Sequence, residues 1–330
     1  MSQIFFRRIA LFTTILAFLV VIFGAYVRLS NAGLGCPDWP GCYGHYSPIG
    51  VATFPTFEAH KAWKEMIHRY LAASLGLMIL GLAIFSLRLK NVSHSVKTLP
   101  WILFCLVIFQ ALLGMWTVTL KLHPWVVMAH LLGGFTTLGL LWCLTLWGRG
   151  ESCDRASQEG EYKIRPYYKF RFWILSGFIL LILQILLGAW TSANYASLAC
   201  PDFPTCQGKW IPTLYFKDAF GVWHEFDKNY EWGVLHNGAR VTVHFLHRLG
   251  ALIVFIYLGL LGLKIVRRKE DFIFCRLGIL LLILLLAQIS LGISNILFQL
   301  PLAVAVAHNA VAALLFLTLT ALLLASFRKD

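Results

Sequence analysis

The sequence predicts an all-α polytopic membrane protein: eight transmembrane helices in two tandem four-helix bundles, related by a parallel internal repeat. Three observations carry this. Of 330 residues, 59% are hydrophobic and only 13% charged, whereas a soluble domain is about half apolar and about one-quarter charged. That excludes an ordinary cytosolic enzyme and a disordered chain. Eight runs are apolar over the roughly 20 residues that a bilayer core requires. Finally, blocks from the first half of the chain recur in the second.

In chain order the runs cover 9–28, 68–88, 100–120, 124–147, 172–193, 243–265, 273–294 and 302–326. The first reads as a membrane span, because it continues into Ala25-Tyr26-Val27-Arg28 without a small-residue cleavage site. Two connections are long, 29–67 and 194–242, and each carries a cysteine pair. With the N-terminus inside, 18 of the 28 Lys and Arg lie on the inner side, from Arg7 and Arg8 through Arg328 and Lys329. The positive-inside rule then places both termini in the cytoplasm and both cysteine loops outside. The net charge of +13 is thus a topology signal. It implies membrane lipid as the surroundings and no nucleic-acid partner.

The repeat divides the chain into 1–147, a cytoplasmic linker at 148–171, and 172–330. Residues 24–44 match 188–208 at ten of 21 positions, and 110–130 match 288–308 at seven of 21. Four helices per unit is an even number, so the units lie parallel rather than inverted.

Four histidines recur with the repeat: His68 and His130, then His247 and His308. All fall in the outer third of the membrane on helices 2, 4, 6 and 8. Ionisable groups inside spans are rare and tend to be functional. Two histidines without a third ligand make a poor zinc site, but on opposite helices of a bundle they suit the two axial positions of a haem. Arg69 and Arg248 follow two of them and suit either a propionate contact or snorkelling to headgroups. Gly114 and Gly292 allow a flat ring to approach or, more simply, close helix packing. The halves differ at one place. Glu65 stands one turn before His68, and His244 takes its place before His247. A carboxylate there suggests proton handling or cation stabilisation, the alternative being an interfacial acid paired with Lys61 or Arg69. The remaining histidines are expected in loops, mostly solvated. Cys36 with Cys42, and Cys200 with Cys206, can each close a small disulfide loop in an oxidising compartment, either as a staple or with a redox or haem-handling role.

Glu65-Met66-Ile67-His68-Arg69, His130, His247-Arg248, His308 and the two cysteine pairs together resemble the heme A synthase family, over nearly the whole chain. The resemblance implies an oxidoreductase of the cell inner membrane that serves cytochrome oxidase biogenesis. Its members convert the methyl of heme O to the formyl of heme A by successive hydroxylations. It further implies that His68 and His130 bind the substrate haem, that His247 and His308 are axial iron ligands of a haem b cofactor, and that Glu65 is catalytic. Heme O synthase and oxidase assembly factors are candidate partners, and a homo-oligomer is a candidate state. A di-haem b-type electron carrier also accounts for four histidines but gives Glu65 no task, and a haem transporter, the other alternative, involves no chemistry.

Overall fold

The computed structural model describes residues 3–49, 58–147, 168–221, 228–267 and 272–327. The membrane helices are α1 (Gln3–Leu29), α2 (Ala59–Ser86), α3 (His94–Thr119), α4 (Pro124–Trp147), α5 (Tyr168–Ala193), α6 (Asn237–Arg267), α7 (Phe272–Leu297) and α8 (Leu302–Phe327). All eight contain stretches long and apolar enough to cross a membrane. Among the described residues the structure has no named strand. A single helical turn at Phe216–Ala219 lies in the second long connection, between α5 and α6. Most of the predicted linker at 148–171 falls outside the described residues, as do Cys153 and His224.

Where a proline sets the start, the predicted boundary holds. Pro124 opens α4, and Pro301 immediately precedes α8. Elsewhere the helices begin earlier than the apolar runs, α2 at 59 instead of 68 and α6 at 237 instead of 243. Hydropathy registers the embedded part only, while i→i−4 hydrogen bonding continues through polar residues. His68 and His247 therefore sit well inside their helices rather than at their ends. Pro100 is accommodated within α3.

The helices close into two rings. In the first, α1 and α3 each pack against both α2 and α4; in the second, α5 and α7 each pack against both α6 and α8. Helices α2 and α4 are thus diagonal, as are α6 and α8. The rings meet where α1 and α4 touch α8, and where α4 touches α5. Phe316 of α8 packs there between Phe135 (5.5 Å) and Phe178 (5.1 Å). Gly139 makes the room, since a Cβ there would lie 2.8 Å from the Phe316 ring. Such close approach through small residues is how helices associate in lipid. Outward-facing apolar side chains, such as Leu77 and Phe172 at 70% exposure, are solvated by acyl chains instead.

The helix ends on the loop side match in pairs. Ala32 N–H donates to Val27 C=O (3.0 Å), as Ala196 does to Thr191 (2.9 Å). Leu122 donates to Thr117 (2.8 Å), as Leu300 does to Asn295 (2.7 Å). These hydrogen bonds satisfy terminal carbonyls that would otherwise lack partners.

Candidate functional site

Each of the four repeated histidines rests its imidazole against a glycine of the preceding helix. A Cβ at Gly24 would lie 3.0 Å from His68 Cε1, and one at Gly114 3.3 Å from His130 Cε1. In the second ring the distances are 3.0 Å for Gly188 and His247, and 3.2 Å for Gly292 and His308. All four glycines occupy repeat-equivalent positions, so the same seat is built four times. Gly114 and Gly292 thus do more than bring two backbones together. Within each ring the two imidazoles come from diagonal helices, His68 with His130 and His247 with His308.

The cysteine loops pack against the same ends of the helices. Disulfides Cys36–Cys42 and Cys200–Cys206 are both formed, and all four cysteines are buried. Inside each loop an aspartate caps the turn. Asp38 accepts from the N–H groups of Tyr43 (2.6 Å) and Gly44 (2.8 Å), and Asp202 from Gln207 (2.6 Å) and Gly208 (3.0 Å). The Thr205 hydroxyl and the Gly208 and Gln207 N–H groups hold the Asp202 carboxyl down at about 2.

Arg69 and Arg248 tie the loops to the helices. Arg69 Nη1 donates to the carbonyls of Asp38 (2.9 Å), Pro40 (3.2 Å) and Gly41. Arg248 Nη1 donates to Asp202 (2.8 Å) and Thr205 (2.9 Å), and its Nη2 to Cys200 (2.5 Å). These arginines are anchored to protein carbonyls, a role that neither the propionate nor the snorkelling expectation contained.

The two sites diverge beneath the first cysteine of each loop. Buried Glu65 accepts the Cys36 N–H at Oε2 (2.9 Å) and the Arg69 guanidinium at Oε1 (2.5 Å). In the second half His244 does the same two jobs: Nδ1 accepts the Cys200 N–H (3.1 Å), and Nε2 faces Arg248 Nε (3.3 Å). The expected ion partner of Glu65 is therefore Arg69. Lys61 pairs with Glu58 instead, at 2.7 Å.

One minor expectation is corrected. His123 is buried against the Tyr230 ring (5.1 Å) rather than solvated, because the segment that carries Tyr230 folds over it. His60 is exposed, as expected, and leans on Glu58 (3.7 Å). Gln184, absent from the sequence-based reading, meets His247. A lone glutamine in an apolar run was the available signal. A surface cleft of about 330 Å³ lined by Leu34, Gly35, Glu58, Lys61, Glu231 and Trp232 lies beside the loops; none of the four histidines lines it.

Among the described residues no group of three or more His, Cys, Asp or Glu could hold a bare metal ion. Imidazoles paired across a ring of helices, each against a glycine, fit a haem better, since a haem iron takes only two axial protein ligands.

The family model for COX15-CtaA, cytochrome oxidase assembly protein, matches residues 7–320. The chain belongs to this family. Similar members of this cytochrome oxidase assembly family carry the name heme A synthase. That of Shewanella oneidensis is 45% identical, covering 93% of this chain and 92% of the relative. That of Halalkalibacterium halodurans is 28% identical, covering 93% and 92%. That of Paracoccus denitrificans is 26% identical, covering 90% and 81%. The COX15-CtaA match spans both histidine pairs and both cysteine loops, so the whole site described above lies inside the family region.

Proposed function

We propose that this protein is a heme A synthase. It binds heme O between His68 and His130 and oxidises a ring methyl, by successive hydroxylations, to the formyl of heme A. One observation carries the reading: two histidine pairs share one seating, and only the first has a carboxylate one turn away. The family and the names of the relatives support it. In this reading residues 1–147 form the substrate half and residues 172–330 the cofactor half, where His247 and His308 would hold a haem b. Haem b, when bound, supplies a one-electron carrier through which the substrate's electrons leave. Both termini face the cytoplasm, and the disulfide loops face an oxidising compartment.

The chain's own contribution centres on Glu65. Converting CH₃ and water to CH₂OH releases two electrons and two protons, so positive charge builds at the methyl carbon before oxygen is added. A carboxylate nearby stabilises that charge, and accepts one of the protons as water adds. Cys36 N–H and Arg69 fix where the carboxylate stands. Arg69 and Arg248 also place positive charge at the outer rim, where propionates are favoured.

Two variants separate catalysis from loop anchoring. Glu65→Gln removes the charge. Glu65→His installs the residue that anchors the second loop. Both are expected to lower heme A formation at least about 10²-fold while the haem b spectrum persists. Heme A formed by Glu65→His at the wild-type rate would refute a catalytic Glu65.

A further inference from the structure

One glutamine recurs with the histidines. Gln110 on α3 and Gln288 on α7 stand one turn before Gly114 and Gly292, the glycines that receive His130 and His308. They share the glycines' helix face, about 6 Å farther from the cysteine loops. In the first half the Gln110 carboxamide lies against Gly133 on α4, where a Cβ would meet its Nε2 at 1.5 Å and its Cδ at 2.7 Å. Nε2 and Oε1 of Gln110 are both buried, and neither has a hydrogen-bond partner among the described residues. The repeat puts Val311 where Gly133 stands. There the glutamine is directed to the histidine instead: Gln288 Nε2 lies 3.3 Å from His308 Nε2, and only its Oε1 is unpartnered. In one half the carboxamide rests over a glycine with donor and acceptor both open. In the other a valine takes that resting place.

We infer that Gln110 is a specificity-determining residue, which receives the hydroxyl that heme O carries and haem b lacks. The inference rests on the proposed heme O between His68 and His130, and adds how that site tells heme O from haem b. The two haems differ in one substituent on the edge opposite the propionates, where a hydroxyethylfarnesyl group in heme O replaces a vinyl. With the propionates at the loop end, that edge faces the other way along α3 and α4, where Gln110 and Gly133 stand. A buried carboxamide with both atoms unpartnered is costly in an apolar span. A hydroxyl can donate to Oε1 or accept from Nε2 as the carboxamide stands, with no turn of the side chain. A vinyl offers neither, and leaves both atoms unpaired. A site built to hydrogen-bond a substrate hydroxyl rejects the analogue without it for this reason. Gly133 is what lets the carboxamide lie there, and Val311 removes that place in the second half. The halves are thus distinguished by the substituent they accept as well as by the carboxylate.

The test uses full-length protein purified in detergent with haem b in its second half. The first half is titrated with heme O, and separately with haem b, and binding is read by absorption. The parent is expected to bind heme O more tightly than haem b. Gln110→Leu should lose about 10- to 100-fold in heme O affinity and keep its affinity for haem b, so that the preference disappears. In turnover, KM for heme O should rise by more than kcat falls, because the hydroxyl takes no part in the oxidation. Gly133→Val, which copies the second half and displaces the carboxamide, should lower heme O affinity in the same selective way. A parent without the preference, or a preference unchanged in Gln110→Leu, overturns the inference. So does an equal loss for both haems in Gln110→Leu, which would mark Gln110 as structural. Should that variant not fold, an unchanged preference in Gly133→Val overturns it instead. The reading beneath it is checked separately with His68→Ala: heme O bound there as in the parent refutes the site itself, whatever Gln110 does.

Discussion

Glu65 and His244 hang beneath equivalent disulfide loops, accept the same backbone N–H, and each face the arginine one turn on. One can carry a full negative charge and the other cannot. A neutral imidazole offers one acceptor nitrogen, which in His244 meets the Cys200 N–H. The scaffold of loop, arginine and glycine-seated histidines is common to the two halves. What differs directly beneath the loop is a single acceptor. The comparison shows that loop anchoring needs only an acceptor at that position. The carboxylate in the first half is therefore more than the fold requires, and that excess is where chemistry is to be sought.

The largest effect should come from the histidines. His247→Ala or His308→Ala is expected to abolish the haem b spectrum. His68→Ala or His130→Ala should leave it intact and abolish heme A formation. Absorption spectra of the purified variants check this, and equal loss of haem b from all four would erase the division between halves. Next in size is the Glu65 series, in which haem b is retained and turnover is lost.

The arginines should separate the halves by stability. Arg69→Ala strands a buried carboxylate and should cost about 3–5 kcal/mol, as breaking a buried ion pair does. Arg248→Ala leaves an imidazole and loop carbonyls without a donor, at about 1–3 kcal/mol. Thermal unfolding in detergent reads the order, and a larger loss for Arg248→Ala would contradict the comparison. The smallest effect concerns the turns. Thr205→Gly copies Gly41 of the first loop and removes the main group holding down the Asp202 carboxyl. A depressed carboxyl stabilises its turn fully above the ordinary aspartate value of about 3.9, and loses that contribution as pH falls through about 2. In the variant the contribution should be smaller and its loss complete at higher pH. Hydrogen exchange at the Gln207 and Gly208 amides measures it.

Much of this was legible in the sequence, because a membrane makes patterns simple. Apolar runs located all eight helices, and proline-marked starts were right at α4 and α8. Starts of α2 and α6 were not, since helices extend beyond the bilayer through residues that hydropathy scores as loop. The histidines, Glu65 and the cysteine pairs stood out as rare residue types repeated at matched spacing. The jobs of Arg69 and Arg248 did not, because donation to loop carbonyls depends on how a loop folds back. Gly24 and Gly188 were visible as repeated residues, but their meaning appears only when an imidazole lies on each. Gln184 escaped notice because it is not repeated.

The central claim is that one half transforms a haem while the other keeps one. Extracting the haems from wild-type protein produced with a heme O source, and identifying them by mass, tests it most directly. The expected extract contains haem b together with heme O and its oxidised product heme A, and His247→Ala should remove haem b and heme A while leaving heme O. An extract containing only haem b, whatever the heme O supply, would mark the protein as an electron carrier and contradict the account.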